Sequence, residues 1–224
     1  MSLIPSICVV GAAGQMGNGL LLRLIESTES GTEVSIVHAV DVDYDGLRTR
    51  WTSDNNRVKI HKAIVDAVQA SEVVILAIPY HAEQQLSDDV RASMAGKIVV
   101  SITNPLTATL DDVLTPHHES AAECLAAMLP GARVVKALNT ISASALTLPR
   151  TTSLNYDTFV ASDHEDAALV VENIIRALGY RPWYVGTLKL SRTLERMTAL
   201  LIGISQRYAL NGPLGWNVQG VQPD

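Results

Sequence analysis

Short apolar runs rich in β-branched residues alternate with stretches of helical periodicity from one end of the chain to the other. The apolar runs cover residues 4–10, 33–40, 58–60, 72–78, 97–102, 132–137, 157–161 and 181–185. Such alternation predicts βαβ units and therefore a parallel sheet. Several runs are apolar at nearly every position, as central strands are when crossover helices cover both faces. The expected fold class is α/β, with a doubly wound, mostly parallel sheet and a short C-terminal helical extension.

Two helical stretches stand out. Ser162-Asp163-His164-Glu165 has the chemistry of a helix start, the residues after it place apolar side chains at helical spacing, and Gly179 is suited to close the helix. Near the end of the chain, Leu190, Leu194, Met197, Leu201, Ile204 and Tyr208 follow one another in steps of three and four, giving one continuous apolar stripe. The stripe must be covered, by the sheet, by a second subunit or by the rim of an active site. No internal repeat or low-complexity tract interrupts the pattern. A boundary near Val185 would divide a domain of residues 1–185 from a helical cap of residues 186–224 packed on it.

Composition narrows the function. The 224 residues are 47% hydrophobic, ample for a sizeable core. A formal charge of -6 disfavours nucleic acid, whose affinity comes mainly from lysine and arginine displacing counterions. A small-molecule ligand is expected instead. Cys8 and Cys124 allow neither a metal spacing nor a disulfide framework, so no metal is expected and a reducing cytoplasm fits. Met1-Ser2-Leu3-Ile4-Pro5 lacks the basic and long apolar regions of a signal peptide, so no export is expected. The most apolar later stretches fall short of the roughly 18 uninterrupted apolar residues of a membrane span.

The sharpest motif is Gly11-Ala12-Ala13-Gly14-Gln15-Met16-Gly17, which follows a predicted strand and precedes a helical run. That context turns a glycine pattern into a dinucleotide-binding fingerprint and the sheet into a Rossmann-type one. Gly11 would allow the tight turn, Gly14 the close approach of backbone to pyrophosphate, and Gly17 the packing of helix on strand. Asp41, at the end of the second strand, stands where an acidic residue accepts hydrogen bonds from the adenosine ribose. On charge it would repel a 2′-phosphate and favour NAD, although Arg48 and Arg50 could clamp a phosphate if their loop folds back. Asp41 could also simply cap the next helix.

Beyond these residues the chain resembles the NADP oxidoreductases that use the deazaflavin coenzyme F420, and the related reductase domain of six-transmembrane ferric reductases. The likeness rests on the glycine turn, on Leu76-Ala77-Ile78-Pro79-Tyr80-His81, on the run from Gly96 through Asn104-Pro105-Leu106, on Val134-Val135-Lys136-Ala137-Leu138-Asn139-Thr140-Ile141, and on the segment from Arg181 to Met197. It implies hydride transfer between a nicotinamide dinucleotide and a small-molecule redox partner, a deazaflavin. Ile78, Pro79, Tyr80, Asn104 and Pro105 would then border the nicotinamide, and Asn139 and Thr140 would floor the pocket of the second partner. Pro79 and Pro105 could equally end strands, and Asn139 could cap a helix. The family usually has a small hydroxyl residue and arginine where this chain has Val40-Asp41. The resemblance therefore implies NADP while Asp41 points to NAD.

Hydride transfer between nicotinamide and deazaflavin needs stacking and exclusion of water but no protein acid. A carbonyl or imine substrate would need one, and the candidates are Tyr80, His81 and His118. Lys136, Lys189 and Arg192 could meet the anionic tail of a deazaflavin. A non-catalytic sensor of nicotinamide redox state is the reading from another class. A homodimer is expected from the apolar stripe.

Overall fold

The computed structural model describes residues 4–29, 36–51, 57–149 and 156–220. Its eight strands are β1 (Ile7–Val10), β2 (Val37–Val40), β3 (Val58–His61), β4 (Val73–Leu76), β5 (Ile98–Ser101), β6 (Arg133–Lys136), β7 (Asp157–Ser162) and β8 (Arg181–Gly186). They form one sheet in the order β3-β2-β1-β4-β5-β6-β7-β8. Each expected strand has a counterpart, generally shorter than the apolar run that announced it; positions 33–35 of the second run lie outside the described residues.

Alternate residues of β1 enter different cores. Ile7 and Val9 pack with helix α1 (Gln15–Glu29), whereas Cys8 and Val10 pack on the opposite face with α3 (Ile64–Gln69). All four are buried, which explains why the run reads as uniformly apolar. The other helices are α2 (Tyr44–Arg50), α4 (Tyr80–Gln84), α5 (Asp88–Ser93), α6 (Ala121–Met128), α7 (Glu165–Ala177) and α8 (Ser191–Arg207). Among the described residues, no helix is long and apolar enough to cross a membrane.

The sheet is mostly parallel, as expected, and the exception is β7, which runs antiparallel to β6, with Val135 opposite Ser162 and Lys136 opposite Ala161. Parallel neighbours need a crossover, usually an α-helix lying on the sheet. After β6 the described chain forms only a 3-10 helix, Ala143–Thr147, which docks on α1: a Cβ on Gly19 would stand 2.8 Å from that of Leu146, and Arg23 Nε donates to the Leu146 carbonyl at 2.7 Å.

Helix α7 ends as expected. Gly179 has φ +88°, its amide bonds Arg176 O at 3.0 Å, and the Tyr180 amide bonds Ile175 O at 3.1 Å, a Schellman closure. Its start differs from the expectation, because Ser162 is the last residue of β7. The Ser162 hydroxyl donates to Val134 O at 2.7 Å and accepts from the His164 amide at 3.1 Å, so it ties strand β6 to the turn instead of capping the helix.

Helix α8 lies over the carboxyl end of β6. Leu194 and Glu195 are buried there, while Ile204 in its second half and Tyr208 just after its end are 37% and 68% exposed, so the apolar stripe is only half covered within one chain.

Candidate functional site

The turn between β1 and α1 is tight because Gly11 adopts φ +85° and the amides of Gly11 and Ala12 both donate to Val40 O, at 2.9 and 3.2 Å. A Cβ on Gly11 would stand 2.3 Å from Ala77 O, and one on Gly17 would stand 2.1 Å from Gly11 O and 2.8 Å from Ala12 Cα. Both glycines are thus demanded by packing. Gly14 differs: its nearest neighbour to a Cβ is Gly11 O at 3.3 Å, and the residue is exposed. Ala12 is fully buried and Met16 packs on the core, so these two face inward. The turn also spends its own donors, with Ala13 N bonded to Asp41 Oδ2 at 2.9 Å and Gly14 N to Gly11 O at 3.2 Å. The amides of Gln15 and its successors, in the first helical turn, are the ones the helix cannot pair internally, and there the positive end of its dipole attracts an anion.

Beside the turn opens a cleft of about 910 Å³ over the carboxyl ends of β1, β2 and β4. Open α/β sheets bind ligands at such a point, where the strand order reverses from β1 toward β2 on one side and β4 on the other. Gly11, Gly14, Asp41, Ile78, Pro79 and His81 all line it. Asp41 is held by two amides, Ala13 N on Oδ2 and Asp43 N on Oδ1, each at 2.9 Å. Its carboxylate therefore braces the glycine turn, and it is Asp43 that caps α2, accepting from Gly46 N at 3.0 Å. Arg50 reaches the turn too, but through Ala13 O at 3.1 Å; neither it nor Arg48 lines the cleft.

A second cluster joins the ends of β5 and β6 to α8. Asn104 Nδ2 donates to Asn139 O and Asn139 Nδ2 to Asn104 Oδ1, both at 2.9 Å, and Asn139 Nδ2 also donates to Leu194 O at 2.8 Å. Leu138 precedes this pair with φ +58°, a conformation a leucine adopts only under constraint, and its amide is anchored on Thr158 Oγ1 at 3.2 Å. Asn139 Oδ1 and Thr140 Oγ1 are buried with no hydrogen-bond partner among the described residues. Pro105 is buried close by, next to Asn104. No α-helix begins at Ile141, so Asn139 caps none.

Three expectations need correcting. Tyr80 does not line the cleft: its hydroxyl is hydrogen-bonded to Cys124, and burial, followed by the Cys124 and glutamate neighbours, pushes it up to about 12, so it is a poor acid there. Lys136 is fully buried and paired with Glu195 at 3.0 Å, because its place at the end of β6 points it into the space under α8. Arg192 is engaged by Glu123 through two bonds of 2.6 and 2.8 Å. Of the other candidates, His118 and Lys189 are exposed and do not line the cleft.

The family model described as NADP oxidoreductase, coenzyme F420-dependent, matches residues 6–105. The F420-dependent NADP reductase of Methanothermobacter marburgensis is 31% identical over 210 residues, covering 89% of this chain and 92% of that protein. The chain belongs to this family. Rat metalloreductase STEAP3 shares 33% identity over 141 residues, 61% of this chain and 27% of that protein. In three dimensions, a crystal structure from Arthrobacter sp. FB24, provisionally assigned as an F420-dependent NADP-reductase, superposes with TM-score 0.79 at 21% identity over 96% of this chain and all of that one.

In this member of the coenzyme F420-dependent NADP oxidoreductase family, the cleft contains residues that the sequence did not single out: Val42, Tyr44 and Lys62. Lys62 Nζ lies 5.9 Å from the centre of the Tyr44 ring. Lys62 follows β3 and comes beside Asp41 only because β3 pairs with β2. No local signal marks it. Among the described residues it is the one lysine or arginine that lines the cleft.

Proposed function

We propose that this protein transfers a hydride between NADP(H) and a deazaflavin coenzyme of the F420 type. The reading is carried by the cleft at the strand-order reversal, bordered by a glycine turn whose Gly14 is exposed to it. The likeness to F420-dependent NADP reductases along nearly the whole chain supports it. The residues fit the coenzyme: the amides from Gln15 onward would hold the pyrophosphate, and Ile78 and Pro79 would border the nicotinamide. Lys62 would pair with the 2′-phosphate. With both oxygens of Asp41 already accepting amide hydrogen bonds, its charge is partly offset, and NADP(H) is preferred to NAD(H) in this reading.

When bound, the nicotinamide and the deazaflavin supply the redox chemistry themselves. The protein's part is to stack them and exclude water. On the side assigned to the second partner, Asn104 and Asn139 hold each other in place, and Thr140 Oγ1 is buried without a hydrogen-bond partner among the described residues. No side chain has to deliver a proton in the transfer, and His81 is an exposed residue of the rim.

The proposal includes one dinucleotide-binding domain of residues 1–185 capped by residues 186–224, a cytoplasmic location in which the free Cys8 and Cys124 stay reduced, and a homodimer. Leu200 and Ile204 on α8, with Tyr208 at its end, expose an apolar ridge that a second copy would cover.

The deciding experiment follows the absorbance of NADPH or NADH, each with oxidised deazaflavin or with a panel of carbonyl and imine compounds. Turnover of NADPH with deazaflavin is expected. Turnover only with a carbonyl or imine would overturn the deazaflavin assignment, and binding without turnover would make the protein a sensor.

A further inference from the structure

Glu83 sits on α4, just behind the turn from β4, with its side chain fully buried. Its Oε1 accepts from Thr103 Oγ1 at 2.5 Å and from Ser101 Oγ at 3.3 Å, and its Oε2 has no hydrogen-bond partner among the described residues. The same Thr103 hydroxyl lies 3.0 Å from the carbonyl of Ile78, which lines the cleft. A hydroxyl has one proton to donate. Two arrangements are therefore open to it.

If Glu83 is ionised, Thr103 donates to the carboxylate, because a charge-assisted hydrogen bond outcompetes a neutral one. The Ile78 carbonyl then loses this donor. If Glu83 is protonated, its own O–H donates to Thr103 Oγ1 and frees the threonine proton for Ile78 O. We propose that Glu83 is a positioning residue whose proton decides, through Thr103, whether the Ile78 carbonyl is held, and that it thereby sets the turn bordering the coenzyme cleft. The consequence for coenzyme binding rests on the function proposed above; the relay itself does not.

The surroundings bring this switch into the neutral range. Burial is the largest influence and raises the carboxyl. The Thr103 bond, the Lys136 charge from β6 and the Ser101 bond lower it, Glu195 on α8 raises it, and the balance stands at about 7. On its own helix, His81 is exposed and the Tyr80 hydroxyl is engaged by Cys124.

The test has two arms. In the coenzyme-free protein, carbon-13 NMR across roughly pH 5.5 to 8.5 should show the Ile78 carbonyl moving with the same midpoint as the Glu83 carboxyl, and Thr103→Val should abolish the Ile78 response while Glu83 still titrates. In the second arm, the dissociation constant for NADPH should rise about 5-fold across that midpoint, on the order of one hydrogen bond's net worth, and Glu83→Gln, whose amide can donate to Thr103 permanently, should stay at the low-pH value throughout. An Ile78 carbonyl indifferent to Glu83 overturns the relay. A relay seen by NMR in a protein that binds no dinucleotide leaves it standing and removes the function proposed above. A Glu83→Gln variant that keeps the inflection overturns the role in binding.

Discussion

Lys136 on β6 and Glu195 on α8 meet at 3.0 Å with both side chains fully buried. Glu195 also accepts from the Ala121 and Ala122 amides at the start of α6, at 2.9 and 3.2 Å, and Lys136 donates to the Thr103 carbonyl. One ion pair thus joins β6, α6, α8 and the end of β5. Removing one partner strands the other charge in the core, so Lys136→Met or Glu195→Leu alone should each cost about 3–5 kcal/mol in urea unfolding. The double variant should cost much less than the sum. Strictly additive losses would show that neither charge depends on the other.

The glycines of the turn should separate fold from binding. Gly17→Ala forces a Cβ to 2.1 Å from a backbone oxygen and should lower stability by about 1–3 kcal/mol, visible in thermal melts. Gly14→Val brings its Cβ to 3.3 Å from Gly11 O, a tight contact relieved by a small shift, so the melt should move less than for Gly17→Ala. Its methyl groups would occupy the approach to the pyrophosphate, and calorimetry should record at least about a tenfold loss of dinucleotide affinity. Unchanged affinity would remove the basis for the site.

Coenzyme choice should depend on Lys62. For Lys62→Ala, the specificity constant with NADPH should fall about tenfold, the equivalent of about 1.4 kcal/mol for one exposed charge pair, while that with NADH stays level. Asp41→Ser should weaken both coenzymes, since the substitution removes the brace on Ala13 N as well as the charge. An NADPH to NADH ratio that Lys62→Ala leaves untouched would mean the phosphate is read elsewhere.

Acid should strike β2 and β3 through a histidine pair. His38 Nδ1 and His61 Nε2 are 2.8 Å apart, and burial first, then the charges of His61 and Lys59, lower His38 from 6.5 to about 4. Because the folded value lies below the unfolded one, the contribution is present above about pH 6.5 and is lost as the pH falls toward 4. Unfolding by urea at neutral pH and near pH 4.5 should therefore show a smaller acid loss for His38→Leu than for the parent. An equal loss in both would exclude His38 as the source.

Much of this protein is legible in its sequence because the relevant physics is local. Uniform apolarity along a run reports burial on both faces of a strand, as in β1 and β4, and the alternation of β-rich runs with helical stretches located the eight described strands. Gly11 and Gly17 were legible for the same reason, since a positive φ and a lack of room for Cβ are properties of a few adjacent residues. Gly179 likewise marks the end of α7 through a closure spanning six residues.

What the sequence could not determine depends on strand order and on where a side chain finds its partner. Lys62 is an ordinary lysine after a short strand until β3 pairs with β2 and brings it beside Asp41. That Asp41 also braces the glycine turn is seen only in the fold, where its oxygens accept from the amides of Ala13 and Asp43. Lys136 reads as a partner for the anionic tail of a deazaflavin until α8 folds over β6 and carries Glu195 to it, 59 positions along the chain. The pattern of apolar residues reports how much of a side chain leaves water. A hydrogen bond or ion pair needs a particular partner within about 3 Å, and only the folded chain decides which distant residue that is.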